Sequence, residues 1–174
     1  MSNIIKPCVE KQLQEILDIL NDAIVNSTAL YDYKPRTMDN MKTWYEAKLK
    51  GNYPIIGAFD SSDKLLGFGS YGSFRSWPAY KYTIEHSVYV RSDARGKGLG
   101  KILLQEIINQ ASAQDYHVLV GGIDADNDIS IKLHESMGFV YAGTIKHAGF
   151  KFGRWLDLAF YQLTLKTPLH PVDG

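Results

Sequence analysis

The sequence carries a single cysteine, no net charge and no long apolar run. Cys8 has no second cysteine to pair with, so a small fold held together by disulfides is not expected. Nineteen Lys and Arg residues balance nineteen Asp and Glu residues, which argues against the basic surface of a protein that binds nucleic acid or membranes. No stretch reaches the ~18 apolar residues of a transmembrane helix, and the first residues lack the pattern of a signal peptide. A cytoplasmic protein is therefore expected.

The histidines have no spacing from Cys, Asp or other His residues that is typical of a metal site. What the chain does have is the composition of a globular protein, with 45% apolar and 22% charged residues over 174 positions. This length fits one domain. We expect a single domain over residues 1–166, followed by a tail over residues 167–174 that contains two prolines.

Apolar periodicity predicts the element order β, α, α, β, β, β, α, β, α, β, β. The first helix is indicated by one apolar stripe, formed by Leu13, Ile16, Leu17, Leu20 and Ile24. A second helix is expected from Met38, behind a Thr37 cap, to Gly51. Strands are expected at Ile4 and Ile5 and over residues 54–59, 65–71, 82–90, 118–123, 139–145 and 155–165, with further helices over 99–111 and 127–137. Ile102 is expected to widen the buried stripe of its helix, and residues 147–154 are expected to form a loop.

A glycine-rich segment, Arg95–Lys101, lies between a predicted strand and a predicted helix. Glycines at that place leave backbone N–H groups free to point at a phosphate near the positive end of the helix dipole. A tight turn that needs glycine only for its backbone angles is the alternative interpretation. The spacing excludes a Walker A loop, since Arg95 and Ile102 stand where Gly and Ser or Thr are required. It also excludes the dinucleotide-binding fingerprint, because Lys101 stands in the place of its third glycine.

The same segment resembles the acyl-CoA signature of the GNAT acetyltransferase superfamily, in which one Arg and two Gly recur at the spacing of Arg95, Gly98 and Gly100. A second block resembles a later helix of that superfamily, through Asn127, Ser130, Leu133, His134, Gly138 and Phe139. Two further segments, Glu85–Val90 and Lys151–Asp157, resemble the branch that acetylates phosphinothricin and methionine sulfoximine. The resemblance covers nearly the whole chain.

The resemblance implies a GNAT α/β fold, with a mixed, largely antiparallel twisted sheet flanked by helices and with splayed fourth and fifth strands. Acetyl-CoA, the co-substrate, is expected to enter the gap between these two strands. Its pyrophosphate is expected to contact the glycine-rich loop, and its pantetheine the fourth strand. The implied coenzyme-binding residues are Val88, Tyr89, Val90, Arg95, Gly96, Lys97, Gly98, Leu99, Gly100, Lys101 and Asn127.

Acetylation of an amine requires a general base, because an amine with a pKa of ~8 or above is mostly protonated at neutral pH. Glu85 is the first choice, since partial burial beside an apolar stretch would raise its pKa, and a solvated carboxylate on a strand face is the alternative. His86 alternates with Glu85 and lines the same cavity only if a bulge intervenes, as GNAT folds usually have here. His134 stands where many GNAT enzymes have a tyrosine that protonates the departing thiolate. The general acid is therefore left open between His134, His86 and water.

The branch that the chain resembles acetylates the α-amino group of small amino acids. Methionine sulfoximine-like acceptors are favoured, because Phe152 stands where the producer-organism resistance enzymes tend to have His. The Arg75 guanidinium is suited to hold the carboxylate of such an acceptor, and an ordinary surface charge is the alternative. The expected substrate-binding residues are Tyr31, Arg75, Ser76, Trp77, Glu85, His86 and Ser87.

A homodimer is expected. Two other functions remain open at this point. One is a GNAT enzyme for another amine, such as a polyamine, an aminoglycoside or a protein N-terminus. The other is an acyl-CoA sensor that binds the coenzyme without catalysis.

Overall fold

The structure is a computed structural model that describes residues 3–174. Its helices and strands follow the order predicted from the sequence. The strands are β1 (Ile4–Pro7), β2 (Ile55–Phe59), β3 (Leu65–Ser73), β4 (Thr83–Val90), β5 (Val118–Asp124), β6 (Val140–Lys151) and β7 (Arg154–Thr164). The helices are α1 (Leu13–Asn26), α2 (Met38–Lys50), α3 (Leu99–Ala113) and α4 (Asp128–Ser136).

The strands form one mixed sheet in the order β1-β2-β3-β4-β5-β7-β6. The pairs β1–β2, β2–β3, β5–β7 and β6–β7 are antiparallel, whereas β4 and β5 are parallel. The parallel pairing is short and extends only from Thr83–Val118 to Glu85–Val120. The predicted α/β class with a largely antiparallel sheet is confirmed, and the early end of this pairing agrees with strands that splay apart.

The chain divides into two compact units. The first contains the described residues up to Tyr71 together with Ser87–Ile107, and the second contains Gly72–His86 together with Ile108–Gly174. The expected single domain over residues 1–166 stays a prediction. Among the residues described, none of the helices combines the length and the apolar character needed to cross a bilayer.

In the first unit, helices cover both faces of β3. A Cβ added to Gly69 would lie 3.0 Å from Cγ1 of Ile107, so the glycine lets α3 approach this strand closely. The neighbouring Phe68 points to the other face, where the ring of Trp44 in α2 meets it edge-on at a centroid distance of 6.2 Å. Because a small and a large residue alternate along β3, the distance between this strand and the helix packed on it differs between its two faces.

The boundaries of the first two helices confirm the sequence-based prediction. The whole predicted stripe of α1 is buried: Leu13, Ile16, Leu17, Leu20 and Ile24. Helix α2 begins behind Thr37, whose hydroxyl accepts a hydrogen bond from the backbone N–H of Asn40, and it ends before Gly51. In α3, however, Ile102 is 43% exposed and Leu104 is buried in its place, so the expectation for Ile102 was wrong.

The expected loop over residues 147–154 was also wrong, because this segment is mostly strand. Only Phe152 and Gly153 form the turn, with positive φ angles of 53° and 73°. The pairing shifts register between Ile145 and Gly149, and the backbone N–H of His147 is held by Asp157 Oδ1 at 2.9 Å. Such an irregularity interrupts the alternation of apolar and polar residues from which strands are predicted.

The tail over residues 167–174 is joined to the second unit by hydrogen bonds. The Thr167 hydroxyl donates to the carbonyl of Tyr116, and the backbone N–H of Val172 donates to the Tyr82 hydroxyl at 3.2 Å. These contacts fix two points of a segment whose composition predicts little structure.

Candidate functional site

The glycine-rich loop between β4 and α3 has the backbone of an anion-binding turn. Gly96 and Gly98 adopt left-handed φ angles of 74° and 76°, which favour glycine over every other residue. A Cβ added to either one would meet no atom within 4 Å, so both positions face open space. Leu99, the first residue of α3, is buried and anchors the helix start. The loop therefore fits the pyrophosphate of acetyl-CoA, which backbone N–H groups at a helix start can bind.

Basic side chains flank this loop. Arg95 Nε donates a hydrogen bond to the Val90 carbonyl at 3.3 Å, and its guanidinium lies 3.9 Å from the Asp22 carboxylate. Lys97 and Lys101 are exposed. The structure thus joins the loop to the end of β4, as expected for residues that share one coenzyme. Their binding of that coenzyme stays a prediction.

In the second unit, Glu85 lies on the exposed face of β4 between two buried residues, Ile84 and His86. Glu85 and His86 point to opposite faces, so the structure does not bring them to one cavity. Burial raises the pKa of the Glu85 carboxyl, and the positive charge of Arg75 acts in the opposite direction. A carboxyl group that holds a proton more readily than an ordinary Glu while still meeting solvent suits a general base.

Arg75 lies in the exposed connection between β3 and β4. Its guanidinium carbon is 5.2 Å from the centroid of the Phe74 ring, and that ring meets Tyr80 edge-on at 5.8 Å. Within residues 3–174, no carboxylate oxygen lies within 4.0 Å of the Arg75 guanidinium. The connection therefore presents a guanidinium oriented by an aromatic ring and available to an anionic group.

His86 and His134 form a buried pair in the second unit. Their Nε2 atoms are 2.9 Å apart, and both rings contact Phe139. His134 Nδ1 lies 2.7 Å from the Ser130 carbonyl and therefore donates to it. In the neutral pair, His134 Nε2 is then the acceptor and His86 Nε2 the donor. His86 Nδ1 is left without a proton, and it has no hydrogen-bond partner in the described part of the chain.

The hydrogen bonds of the His86–His134 pair limit the ability of His134 to act as the general acid that protonates the departing thiolate. Burial lowers the pKa of both imidazoles, and that of His86 falls to about 3, with the His134 charge as a second cause. Both rings are therefore neutral near pH 7. The one ring proton of neutral His134 is on Nδ1 and is donated to the Ser130 carbonyl, so His134 can give this proton to another group only after that hydrogen bond is broken. That His134 is the general acid stays a prediction.

Two adjacent glycines in β5 make room for these groups, and the sequence analysis did not single them out. A Cβ on Gly121 would lie 3.1 Å from His86 Cε1 and 3.3 Å from His134 Nε2. A Cβ on Gly122 would lie 3.3 Å from Glu85 Oε1. Glycine inside a strand often marks a close approach, so a Gly-Gly pair in a predicted buried strand was the available signal.

The remaining residues predicted to bind coenzyme or substrate lie in several places. Asn127 Oδ1 accepts a hydrogen bond from the backbone N–H of Ser130 at 3.1 Å and so caps α4. Tyr31, Ser76 and Trp77 are exposed. Ser87 and Tyr89 of β4, with half-buried Lys48 of α2, line a cavity of about 170 Å³ in the first unit. Lys48 carried no sequence signal beyond its place on a predicted helix.

The effect of the Arg75 charge on the pKa of Glu85 is testable by titration. Replacing Arg75 with Ala removes the positive charge that favours the carboxylate, so the pKa of Glu85 is expected to rise further. Carbon-detected NMR of the Glu85 carboxyl against pH measures this value. Lys81→Ala serves as the control, since it removes a positive charge from the same connection and leaves Arg75, the charge that lowers the pKa of Glu85, in place. An unchanged Glu85 pKa in the Arg75 variant would show that the two charges do not interact.

Comparison with known proteins places the chain in a family. The model of the acetyltransferase (GNAT) domain matches residues 5–160. An L-methionine sulfoximine/L-methionine sulfone acetyltransferase of Pseudomonas paraeruginosa is 46% identical over 165 residues, which cover 95% of this chain and 96% of the relative.

Solved structures agree with this match. The N-acetyltransferase of Staphylococcus aureus superposes with a TM-score of 0.92 at 49% identity, covering 94% of this chain and 99% of that one. The phosphinothricin acetyltransferase of Sinorhizobium meliloti, solved in complex with acetyl-CoA, gives a TM-score of 0.94 at 31% identity over 98% and 93% of the two chains. The chain therefore belongs to the GNAT acetyltransferase family, whose members take the acetyl group from acetyl-CoA.

Proposed function

We propose that this acetyltransferase transfers the acetyl group of acetyl-CoA to the α-amino group of a small amino acid. The observation that carries the proposal is the pair formed by Glu85 and Arg75 in the second unit. It combines a carboxyl group of raised pKa with a guanidinium that has no carboxylate partner within residues 3–174. A free amino acid presents the two matching groups, an ammonium that must lose a proton and a carboxylate that needs a partner.

The proposed reaction is a direct transfer. Glu85, alone or through a water molecule, takes a proton from the ammonium of the acceptor. The amine nitrogen then attacks the thioester carbon, the carbon–sulfur bond breaks, and CoA leaves as a thiolate that takes up a proton. We propose that the backbone N–H of Val90 donates a hydrogen bond to the carbonyl oxygen of the thioester and so stabilises the negative charge that develops on it.

The state of Cys8 supports a direct transfer over an acyl-enzyme. The side chain is buried, and this burial, with the charge of Glu15 as a lesser cause, raises the pKa of the thiol to about 12. A thiol in that state is not a nucleophile near pH 7. A lone buried thiol also fits a reducing compartment, and we propose the cytoplasm as the location of the enzyme.

Methionine sulfoximine and methionine sulfone are the acceptors we propose first, and phosphinothricin comes after them. The support is the identity of 46% to a relative that carries the first two substrates in its name. We assign Arg75 to the acceptor carboxylate, because a planar guanidinium can form two parallel hydrogen bonds with it.

We further propose that the enzyme is a homodimer that associates through exposed apolar side chains of β6, β7 and the turn between them. Large apolar side chains between 45% and 61% exposed lie on these strands and the turn between them: Val140, Tyr141, Ile145, Phe150, Phe152 and Trp155. Two of these side chains are in contact, since the Trp155 ring meets Phe150 edge-on at 5.1 Å, and the Trp155 ring also stacks on His147 at 5.7 Å. Apolar patches of this kind commonly mark protein interfaces.

The role of Glu85 is tested by Glu85→Gln. The amide cannot accept the proton, so kcat is expected to fall by about 10² to 10⁴ while the KM for acetyl-CoA stays nearly constant. In the wild type, the rate should decline as the pH falls through the raised pKa of Glu85, and the variant should lack this decline. Glu46→Gln, on the exposed face of α2, is the control. Turnover near the wild-type level at neutral pH would remove Glu85 from its role.

The role of Arg75 is tested by Arg75→Ala. Losing two charge-assisted hydrogen bonds should raise the KM for methionine sulfone about 10- to 100-fold, with little change in the KM for acetyl-CoA. Arg75→Lys should restore part of the loss. Lys81→Ala, in the same exposed connection, is the control. The assignment fails if the decarboxylated analogue of methionine sulfone reacts as well as the amino acid.

The homodimer is tested by Trp155→Asp. A carboxylate in the apolar face should prevent association, so sedimentation velocity is expected to show the mass of one chain for the variant and of two chains for the wild type. Val9→Asp introduces the same charge at an apolar residue that is exposed elsewhere, and it should leave the dimer intact. A wild type that sediments as a single chain would refute the proposal.

A further inference from the structure

Lys48 in the first unit is a half-buried amine that the proposed reaction does not use. Its Nζ donates a hydrogen bond to the Tyr71 carbonyl at 2.6 Å and lies 5.5 Å and 5.7 Å from the ring centroids of Trp44 and Tyr53. In the described part of the chain, no carboxylate oxygen comes within 4.0 Å of this nitrogen. The ammonium form has therefore lost water without gaining an ion pair, and burial of this kind favours the neutral amine.

The nitrogen of Lys48 also has space beside it. The side chain lines the cavity of about 170 Å³ in the first unit, where Leu20 and Phe68 are part of an apolar wall. Two side chains with hydrogen-bond donors, Arg36 and Ser87, line the same cavity. Since one water occupies about 30 Å³ in the liquid, a cavity several times larger has room for an acetyl group.

We propose that Lys48 is an acetylation site, at which Nζ takes an acetyl group from a small activated donor and the resulting amide stays in the cavity. The lone pair of the neutral nitrogen attacks the carbonyl carbon of the donor, and the bond from that carbon to the leaving group breaks. The nitrogen loses a proton and the leaving group takes one up. The leaving group is the CoA thiolate for acetyl-CoA and phosphate for acetyl phosphate.

The acetylated side chain matches the surroundings of Lys48 better than the ammonium does. Its amide keeps one N–H, which can still donate to the Tyr71 carbonyl. The new carbonyl oxygen can accept a hydrogen bond from Ser87 or from Arg36, whose guanidinium has more N–H donors than its ion pair with Asp32 uses. The methyl group meets the apolar wall, and no charge is left to be held out of water.

The protonation of Lys48 supports this reactivity. Burial lowers the pKa of Lys48 to about 8, so about one amine in ten is neutral at pH 7, against fewer than about one in a thousand for an exposed lysine. The other charged or titratable residues that line the cavity or contact the side chain are Arg36 before α2, Tyr53 after it, Tyr71 of β3 and Tyr89 of β4. None of these residues carries a carboxylate that would restore the ammonium.

Two sources can supply the acetyl group. Acetyl-CoA is the co-substrate of the family, and acetyl phosphate carries the same group on a much smaller leaving group. Neither reaction needs an amino-acid acceptor. Acetylation of Lys48 therefore stands or fails independently of the acceptor proposed above.

The site is tested by incubating the full-length protein with acetyl-CoA or acetyl phosphate at pH 7. The protein is then digested with a protease that does not cut at lysine and analysed by mass spectrometry. Lys50, exposed on the same helix, is the internal reference. Lys48 is expected to gain acetyl groups at least about tenfold faster than Lys50 with one donor or both, and the donor that shows the preference is the source. Acetylation of Lys48 no faster than that of Lys50 with both donors overturns the proposal.

Two further conditions separate the effect of the cavity from that of the local sequence. In urea both amines are exposed, so the preference for Lys48 should disappear, and a preference that persists there would contradict the role of the cavity. In the folded protein, the ratio of the Lys48 rate to the Lys50 rate should stay constant below a pH of about 8 and fall above it. A ratio that does not change up to pH ~10 would contradict activation of this amine by burial.

Discussion

A β-strand turns successive side chains to opposite faces of its sheet, and in β4 this alternation separates two kinds of chemistry. Glu85 faces outward with a carboxyl group of raised pKa, whereas His86 faces inward and contacts His134 and Phe139. Neighbours in the sequence are thus on opposite sides of the sheet. The base that we propose and the imidazole pair cannot exchange a proton by direct contact.

In the adjacent strand β5, two successive glycines face the same two sides of the sheet as Glu85 and His86 do. Gly121 faces the imidazole pair and Gly122 faces the Glu85 carboxyl, each at a distance that leaves no room for a methyl group without displacement. The parallel pairing of Glu85 with Val120 sets this register. Two residues without side chains therefore determine how closely β5 approaches both groups.

Burial of titratable groups has a different consequence in each part of the molecule. The two imidazoles become neutral and pair with each other, and the Cys8 thiol keeps its proton. Glu85 is opposed by Arg75, so burial and charge act on it in opposite directions. Lys48 has no such carboxylate partner within residues 3–174, and its Nζ donates to the Tyr71 carbonyl, so burial alone lowers its pKa.

Local signals in the sequence were sufficient for most of the fold. The apolar stripe of α1, the Thr37 cap of α2 and the left-handed glycines before α3 each act over a few residues, so composition and spacing reveal them. The strand over residues 147–151 was missed, because its register shift near His147 depends on the partner strand. Ile102 was misplaced because the helix stripe alone does not show which neighbouring residue meets the sheet.

The sequence by itself determined the element order, the glycine-rich loop and the family resemblance, from which the proposal of Glu85 as the base follows. Each of these depends on residue types at fixed spacing along the chain. Only the tertiary structure decided that His86 pairs with His134, that Gly121 and Gly122 make room for the neighbouring side chains, and that Lys48 lines a cavity. These features join residues far apart in the sequence, and their protonation depends on burial, which arises only when the strands and helices pack together.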